Sequence, residues 1–193
     1  MRFSKRSERR PRRPLSACLF LLFLFLPATL PAQELVVEYA STKIVDRGIY
    51  VDAGINYQLD EEILLALEHG VEVDIQILVR VRRDREWLWD PLVAEQQVRY
   101  RLQHHPLSDD YVLTDLATGE RQQFASRDGA LRAAGRIKNV LLGDASLLEP
   151  GNTYRGYMKV KLQVENLPAP LEPITYVSEA WRMESSWYEW VVR

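Results

Sequence analysis

Cysteine is nearly absent from this chain. The 193 residues contain one, Cys18, and it lies inside a basic and apolar leader at the start of the sequence. A disulfide, catalysis by a thiolate and a cysteine-ligated metal centre all require cysteine in the folded part of a protein. The sequence excludes these three features beyond the leader, where stability must come from burial of apolar side chains.

Long apolar runs are also lacking. The longest extends over about ten residues, from Ala17 to Leu26, whereas a membrane-spanning helix needs roughly twenty. Seven basic side chains precede the run, and a small residue, Ala32, follows it. This order is typical of a secretory signal peptide. We predict a signal peptide over residues 1–32, cleaved near Ala32, and a periplasmic or secreted mature protein.

Two alternatives to a cleaved leader stay open. The leader could persist as an uncleaved anchor, although its apolar centre is short for that role. The order Leu15-Ser16-Ala17-Cys18 resembles the sequence before a lipid-modified cysteine, but that cysteine should follow the apolar run, and Cys18 precedes it.

The charge is unevenly distributed. The whole chain carries a net charge of −2, but residues 33–193 keep only 18 of the 25 basic side chains and 26 of the 27 acidic ones, which makes −8. Nucleic-acid binding depends on neutralising phosphates with basic residues. We therefore expect no nucleic-acid partner, and a single domain over residues 33–193, which is long enough for one core.

Alternation of apolar and polar residues dominates this region and predicts strands with one buried face. In the clearest strand, 71–82, the predicted core residues are Val71, Val73, Ile75, Ile77 and Val79, and the predicted solvent-facing residues are Glu72, Asp74, Arg80 and Arg82. Other predicted strands are 35–40, 49–57, 98–103, 111–116, 120–125, 158–165, 174–182 and 187–192. A hairpin turn is predicted at Thr118-Gly119.

Two short helices are predicted between the strands. Asp60 is typical of a helix N-cap and Gly70 of a helix end, and Ser126 is expected to cap a second helix over about 127–138. Many antiparallel strands with two short helices predict a mainly β fold, an antiparallel β-sandwich. An immunoglobulin-like order is one form of it, although the cysteine pair of that domain is missing.

Several short motifs follow the leader in a fixed order. They are DAGINYQL at 52–59, YRL at 100–102, YVLTDL at 111–116, TGE at 118–120 and WYEW at 187–190. In this order they resemble the bacterial family called domain of unknown function 4390, over most of residues 34–192. The resemblance implies a small exported proteobacterial protein with no catalytic residues to carry over. It also implies a partner, because members of that family are often encoded near a nitrogen-regulation-type sensor kinase.

One group of side chains has the chemistry of a binding surface. This arginine–tryptophan cluster comprises Arg80, Arg82, Trp87, Trp89, Arg99 and Arg101. Arginine stacks on tryptophan and forms paired hydrogen bonds with carboxylates and phosphates. The plainer interpretation, which we favour, is a solvated sheet face whose arginines pair with Glu72, Asp74 or Glu95. The remaining tryptophans, Trp181, Trp187 and Trp190, are predicted to close one end of the core, with a ligand shelf as the alternative.

Catalytic and metal-binding constellations are weak. His104 and His105 are adjacent on a predicted strand and should point to opposite faces, so they are poorly placed to share a metal. Ser126, His105 and Asp109 include the residue types of a serine hydrolase, but no nucleophile-elbow glycines surround any serine. We predict no catalytic residues, no metal and no cofactor.

The sequence therefore predicts an exported, non-enzymatic interaction module whose partner is an envelope or membrane protein, with a sensor kinase as one candidate. The alternatives are a small-ligand-binding domain that uses the arginine–tryptophan cluster and, less favoured, a hydrolase. A deep pocket lined by Trp87, Trp89 and the arginines would favour the ligand binder, whereas a flat exposed apolar patch would favour the interaction module.

Overall fold

A computed structural model describes residues 35–85, 89–164 and 182–192, all within the compact unit Gln33–Arg193. In chain order the elements are β1 (Leu35–Val45), β2 (Gly48–Tyr57), α1 (Glu61–Glu68), β3 (Val73–Arg83), β4 (Leu92–His105), β5 (Asp110–Asp115), β6 (Arg121–Phe124), α2 (Arg127–Ala134), β7 (Arg136–Asp144), a 3-10 turn (Ala145–Leu147), β8 (Tyr154–Val164), β9 (Arg182–Glu184) and β10 (Tyr188–Val192). The predicted leader and, apart from Arg182, the predicted strand 174–182 lie outside the described residues.

The strands form two antiparallel sheets. The smaller has the order β1-β2-β7, and the larger has the order β10-β8-β3-β4-β5-β6 with β9 also paired to β8. Buried side chains from both sheets and both helices form one hydrophobic cluster. The predicted fold class is confirmed: a mainly β, antiparallel sandwich with two short helices.

Strand β3 lies in the middle of the larger sheet and confirms the predicted alternation. Val73, Ile75, Ile77 and Val79 are each 0% exposed. The prediction for Val71 is wrong, because this residue precedes the strand and is only partly buried. Its N–H donates to the carbonyl of Ala66, so Val71 belongs to the hydrogen-bonded end of α1 rather than to the sheet.

The predicted helix starts and the predicted hairpin are present. The Asp60 carboxylate accepts from the N–H of Glu62 at 3.4 Å, and the Ser126 hydroxyl accepts from the N–H of Gly129 at 3.2 Å. Gly119 has φ +75° in the turn between β5 and β6, a conformation that glycine adopts without steric cost.

The second helix ends earlier than predicted, at Ala134 rather than near residue 138. The next residue, Gly135, lies against β2, where a Cβ would come within 2.2 Å of the Ile55 carbonyl oxygen. The Ile55 N–H donates to the carbonyl of Gly135 at 2.9 Å. This close approach ends the helix and places residues 136–144 in the smaller sheet as β7.

Strand β7 has no counterpart among the predicted strands because its alternation is interrupted. Asn139 has φ +54°, and its N–H donates to the Asp52 carboxylate at 2.7 Å. The pairing of β2 with β7 shifts register beside this point. A bulge of this kind moves the following side chains out of the period-two pattern.

One end of the core is closed by Trp190, as predicted. Trp190 is 9% exposed, and its indole N–H donates to the Thr42 hydroxyl at 2.7 Å. Trp187 contradicts the same prediction, since 43% of its surface is exposed, and Trp181 lies outside the described residues. The helices seen in the described ranges are too short to cross a membrane.

Candidate functional site

The outer face of the larger sheet carries most of the predicted arginine–tryptophan cluster. Arg80 and Arg82 lie on β3, and Arg99 and Arg101 lie on the neighbouring strand β4. Trp89 is 94% exposed, and Trp87 lies outside the described residues.

The register separates the four arginines into two pairs. Arg80 is opposite Glu95, and Arg99 is opposite Gln76. Arg99 lies four positions after Glu95 along β4, a distance of roughly 13 Å at about 3.3 Å per residue. The arginine–tryptophan cluster predicted from the sequence is therefore divided, because Arg80 and Arg82 lie near the connection between β3 and β4 and Arg99 and Arg101 lie farther from it.

Arg101, in the pair of arginines on β4, belongs to an ion-paired network. Arg101 donates to the two carboxylate oxygens of Asp74 at 2.7 and 2.9 Å and lies 3.1 Å from the Glu72 carboxylate. Asp74 is only 6% exposed, so the prediction that it faces water is wrong. The Asp74 side chain points to the polar face as expected, but the Arg101 guanidinium covers it.

Arg80, in the pair of arginines on β3, lies beside Trp187, a side chain that was predicted to close one end of the core. The Arg80 guanidinium carbon lies 5.4 Å from the centroid of the Trp187 ring, and the Lys159 ammonium lies 5.9 Å from it. Both distances are within the range of cation–π attraction. Arg80 also donates to the Glu95 carboxylate at 2.6 Å.

These side chains border an open depression that we call the Trp187 cleft. It has a volume of about 250 Å³ and is lined by Arg80, Arg82, Tyr157 and Trp187. Tyr157 is opposite Arg80 in the pairing of β8 with β3. Arg82 is held by a hydrogen bond to the carbonyl of Asp90 at 2.9 Å.

Trp187 follows a bulge at the sheet edge. Met183 pairs with Leu162 and Tyr188 pairs with Met158, so the edge contains one more residue than β8 over this stretch. The Ser185 hydroxyl fills the gap by accepting from the Val160 N–H at 2.9 Å. The sequence held a usable signal, because Trp187 and Trp190 are three residues apart and cannot share one face of a strand.

Acidic residues neutralise much of the positive charge around the cleft. Lys159 and Lys161 lie 2.5 and 2.7 Å from the Glu184 carboxylate, and their hydrogen bonds lower the pKa of Glu184. Arg155 pairs with Glu189 and with Asp84, and these two hydrogen bonds raise the pKa of Arg155.

The ion-pairing interpretation therefore describes Arg80 and Arg101. Arg99 differs from both. It is exposed, and within the ranges that the structure describes its guanidinium makes no ion pair or side-chain hydrogen bond. Arg99 is therefore available to an anionic partner.

The histidines and Ser126 occupy separate structural positions. The two ring nitrogens of His104 lie 2.9 Å from the Glu68 carbonyl and 3.2 Å from the Asp109 carboxylate. His104 is buried, whereas its neighbour His105 is exposed, as the strand alternation predicts. Ser126 serves as the N-cap of α2. Among the described residues there is no group of three or more side chains that could hold a metal ion.

Comparison with protein families identifies the chain. The family model described as domain of unknown function (DUF4390) matches residues 32–191. The chain belongs to this family. Neither a curated protein nor a solved structure matches this DUF4390 chain.

The DUF4390 resemblance predicted from the motifs is confirmed, and the structure shows where the motifs lie. The 52–59 motif covers the end of β2 and leads to the Asp60 cap of α1. The YRL motif contributes Arg101 to the network with Asp74, and the WYEW motif contributes Trp187 to the cleft and Trp190 to the core. These motifs of the chain thus include both structural residues and residues of the candidate site.

Proposed function

We propose that this DUF4390 protein is an exported, non-enzymatic interaction module that binds an acidic segment of an envelope or membrane protein, with a sensor kinase as one candidate. The observation that carries the proposal is the exposed indole of Trp187, held beside Arg80 and Lys159 on the outer sheet face. Tryptophan and arginine are enriched among the residues that dominate binding energy at protein interfaces.

The surroundings of the Trp187 cleft favour a protein partner over a small ligand. At about 250 Å³, the cleft is smaller than the roughly 300–1,000 Å³ of most ligand pockets. Trp89 does not line it. A row across the sheet next to the cleft runs Leu92, Arg82, Arg155 and Val191. Its two outer members, Leu92 and Val191, are about half exposed, so the face combines apolar and basic groups, as interfaces do.

The sign of the charge indicates an acidic partner. Within the described ranges Arg99 has no carboxylate partner, and the side-chain hydrogen bond of Arg82 goes to a backbone carbonyl. An acidic side chain arriving at either guanidinium would form a charge-assisted hydrogen bond without displacing an existing ion pair. The leader supports the location of the proposed partner, because a signal peptide would bring the domain to the envelope.

The proposal is tested by capturing partners from solubilised envelope with the tagged full chain. The test variant combines Trp187→Ala with Arg99→Glu, and the control is Arg121→Glu, another exposed arginine, on β6 of the same sheet. Arg80 is left unchanged because its reversal would place a second carboxylate beside Glu95. We expect the test variant to lose the partner while circular dichroism shows a folded protein.

Salt provides a second measurement. The electrostatic screening length falls to roughly 3 Å at 1 M salt. Capture of a partner that depends on exposed arginines should therefore weaken as salt is added. Capture that survives both the double substitution and 1 M salt, or that is lost equally in the Arg121→Glu control, would contradict the proposed surface.

A further inference from the structure

A second concave surface lies on the smaller sheet, where α2 meets β2. Two adjoining depressions of about 280 and 350 Å³ share Ile55, Asn56 and Arg132 in their walls. The larger one is also lined by Glu38, Tyr39, Gly54 and Arg136. We call these six polar, aromatic and glycine residues the Tyr39 cleft: Glu38, Tyr39, Gly54, Asn56, Arg132 and Arg136.

The backbone is adapted to form this cleft. The pairing of β1 with β2 shifts register between Val37 and Tyr39, so Glu38 is an extra residue in β1. Bulges of this kind redirect side chains and are common beside binding sites. Tyr39 then lies over Gly54, where a Cβ would meet the ring at 2.3 Å. Glycine at this position therefore allows the tyrosine ring to lie against the sheet, half exposed.

Two arginines form the opposite wall. Arg136 begins β7 and is paired with Gly54, so Tyr39, Gly54 and Arg136 form one row across three strands. The Cα atoms of Tyr39 and Arg136 are therefore about 10 Å apart at the usual strand spacing. Arg132 stands four residues earlier, on α2. Within the described ranges neither guanidinium makes an ion pair or a side-chain hydrogen bond.

The floor of the cleft excludes recognition by strand addition. Gly54 and Asn56 belong to β2, the central strand of its sheet, which pairs with β1 on one side and β7 on the other. A peptide that binds by β-augmentation needs an unpaired strand edge. A ligand that lies on this floor is therefore recognised through side chains.

The set of side chains specifies the chemistry of that ligand. Two guanidinium groups bind a carboxylate well because their geometry allows paired hydrogen bonds. An exposed tyrosine ring offers a flat surface for the C–H face of a sugar ring, and the Asn56 amide and the Glu38 carboxylate offer a donor and acceptors for hydroxyl groups. A depression of about 350 Å³ is at the lower end of the range for small-molecule sites.

We propose that the Tyr39 cleft binds a carboxylate-bearing sugar residue, with the carboxylate at Arg132 and Arg136, the sugar ring on Tyr39 and hydroxyl groups at Asn56 and Glu38. This site lies on the opposite sheet from the Trp187 cleft and uses none of its residues. The binding activity is therefore separate from the proposed partner interaction.

The test titrates the protein, purified from cells that express the full chain, with galacturonic acid and with a galacturonate oligomer by calorimetry and NMR. Three control compounds are titrated in the same way. Galactose is the sugar without the carboxylate, inorganic phosphate is an anion without a sugar ring, and triglutamate is an acidic peptide. Galacturonate should bind at least about tenfold more tightly than galactose, because charge-assisted hydrogen bonds are lost with the carboxylate. Binding of the monomer points to a free sugar acid, and binding of the oligomer alone points to a polysaccharide.

Variants locate the site. Arg136→Gln should weaken galacturonate binding at least about tenfold, Tyr39→Leu should weaken it several-fold, and Arg121→Gln should leave it unchanged. Arg132 and Arg136 are both exposed, so we expect the Arg132→Gln and Arg136→Gln variants to fold. These two variants test the site even if Tyr39→Leu is unstable. Each of four results would overturn the proposal. They are galactose binding as tight as galacturonate binding, phosphate or triglutamate binding that is equal or tighter, no binding of either galacturonate probe, and galacturonate binding that neither arginine substitution changes.

Discussion

Gly156→Ala tests how the edge of the larger sheet closes the core. Gly156 is opposite Trp190 in the pairing of β8 with β10, and the indole lies over it. An added Cβ would be 2.2 Å from Trp190 Cε2 and 2.3 Å from Cζ2. Because ordinary contacts begin at 3.4 Å, the indole would have to move by at least about 1.2 Å.

The movement has two costs that can be estimated. Overpacking a core typically destabilises by about 1–3 kcal/mol. The hydrogen bond from the Trp190 indole to Thr42, 2.7 Å long, would be lost or lengthened, at a further cost of about 0.5–1.5 kcal/mol. We expect Gly156→Ala to lower the free energy of unfolding by about 2–4 kcal/mol, against a total of about 5–15 kcal/mol for a typical domain.

Urea denaturation followed by circular dichroism measures this change, and a double-mutant cycle identifies its cause. Trp190→Leu removes the indole and is itself destabilising, since a buried aromatic ring is replaced by a smaller side chain. In that background Gly156→Ala should cost much less, which gives a coupling energy of at least about 1 kcal/mol. Strictly additive costs, or a silent Gly156→Ala, would refute the packing argument.

Three other outcomes are expected. Asp74→Ala should destabilise by about 1–3 kcal/mol in urea denaturation, because Arg101 loses two charge-assisted hydrogen bonds; an unchanged midpoint would contradict the network. The hydrogen bond from Lys43, followed by one from a backbone N–H, holds the pKa of Asp52 below its usual 3.8, so Asp52 stabilises the fold above the unfolded pKa and this contribution disappears as the pH falls through the lower folded pKa. Lys43→Met should raise the pKa of Asp52 in a carboxyl-carbon NMR titration, and no rise would count against the ion pair. Intact mass of the protein recovered from the envelope should begin near Gln33; a product beginning at a lipid-modified cysteine would disprove the predicted cleavage.

The regular strands and the helix starts could be predicted because they depend on local patterns. Strict alternation along β3 reports burial directly, since successive side chains on a strand point to opposite faces. The Asp60 and Ser126 caps could be predicted because their side chains bond to backbone groups two or three residues away. Neither inference requires knowledge of the partner strands.

The errors occur where distant contacts override the local pattern. Residues 136–138 were expected to continue a helix, but Gly135 allows β2 to approach the end of α2 and redirects the chain into β7. Asp74 was expected to be solvated, and the register of β3 with β4 places Arg101 over it. Both outcomes depend on residues about 27 to 80 positions away in the sequence.

The candidate site shows the same division. The alternation of polar and apolar residues was enough to place the four arginines of the cluster on the polar faces of their strands, because alternation determines the face. These arginines are Arg80, Arg82, Arg99 and Arg101. Which residues meet on that face was decided by antiparallel register and by the bulge at Ser185, which bring Trp187 beside Arg80 and leave Arg99 elsewhere.

By itself, the sequence determined the mainly β class, the acidic character of residues 33–193, the lack of thiol chemistry in the fold and the family. These properties depend on composition and on short-range order. The tertiary structure alone decided the partners of each charge, the side chains that surround Trp187 and the existence of the Tyr39 cleft. These depend on strand register, in which a shift of one residue moves a side chain to the other face of the sheet.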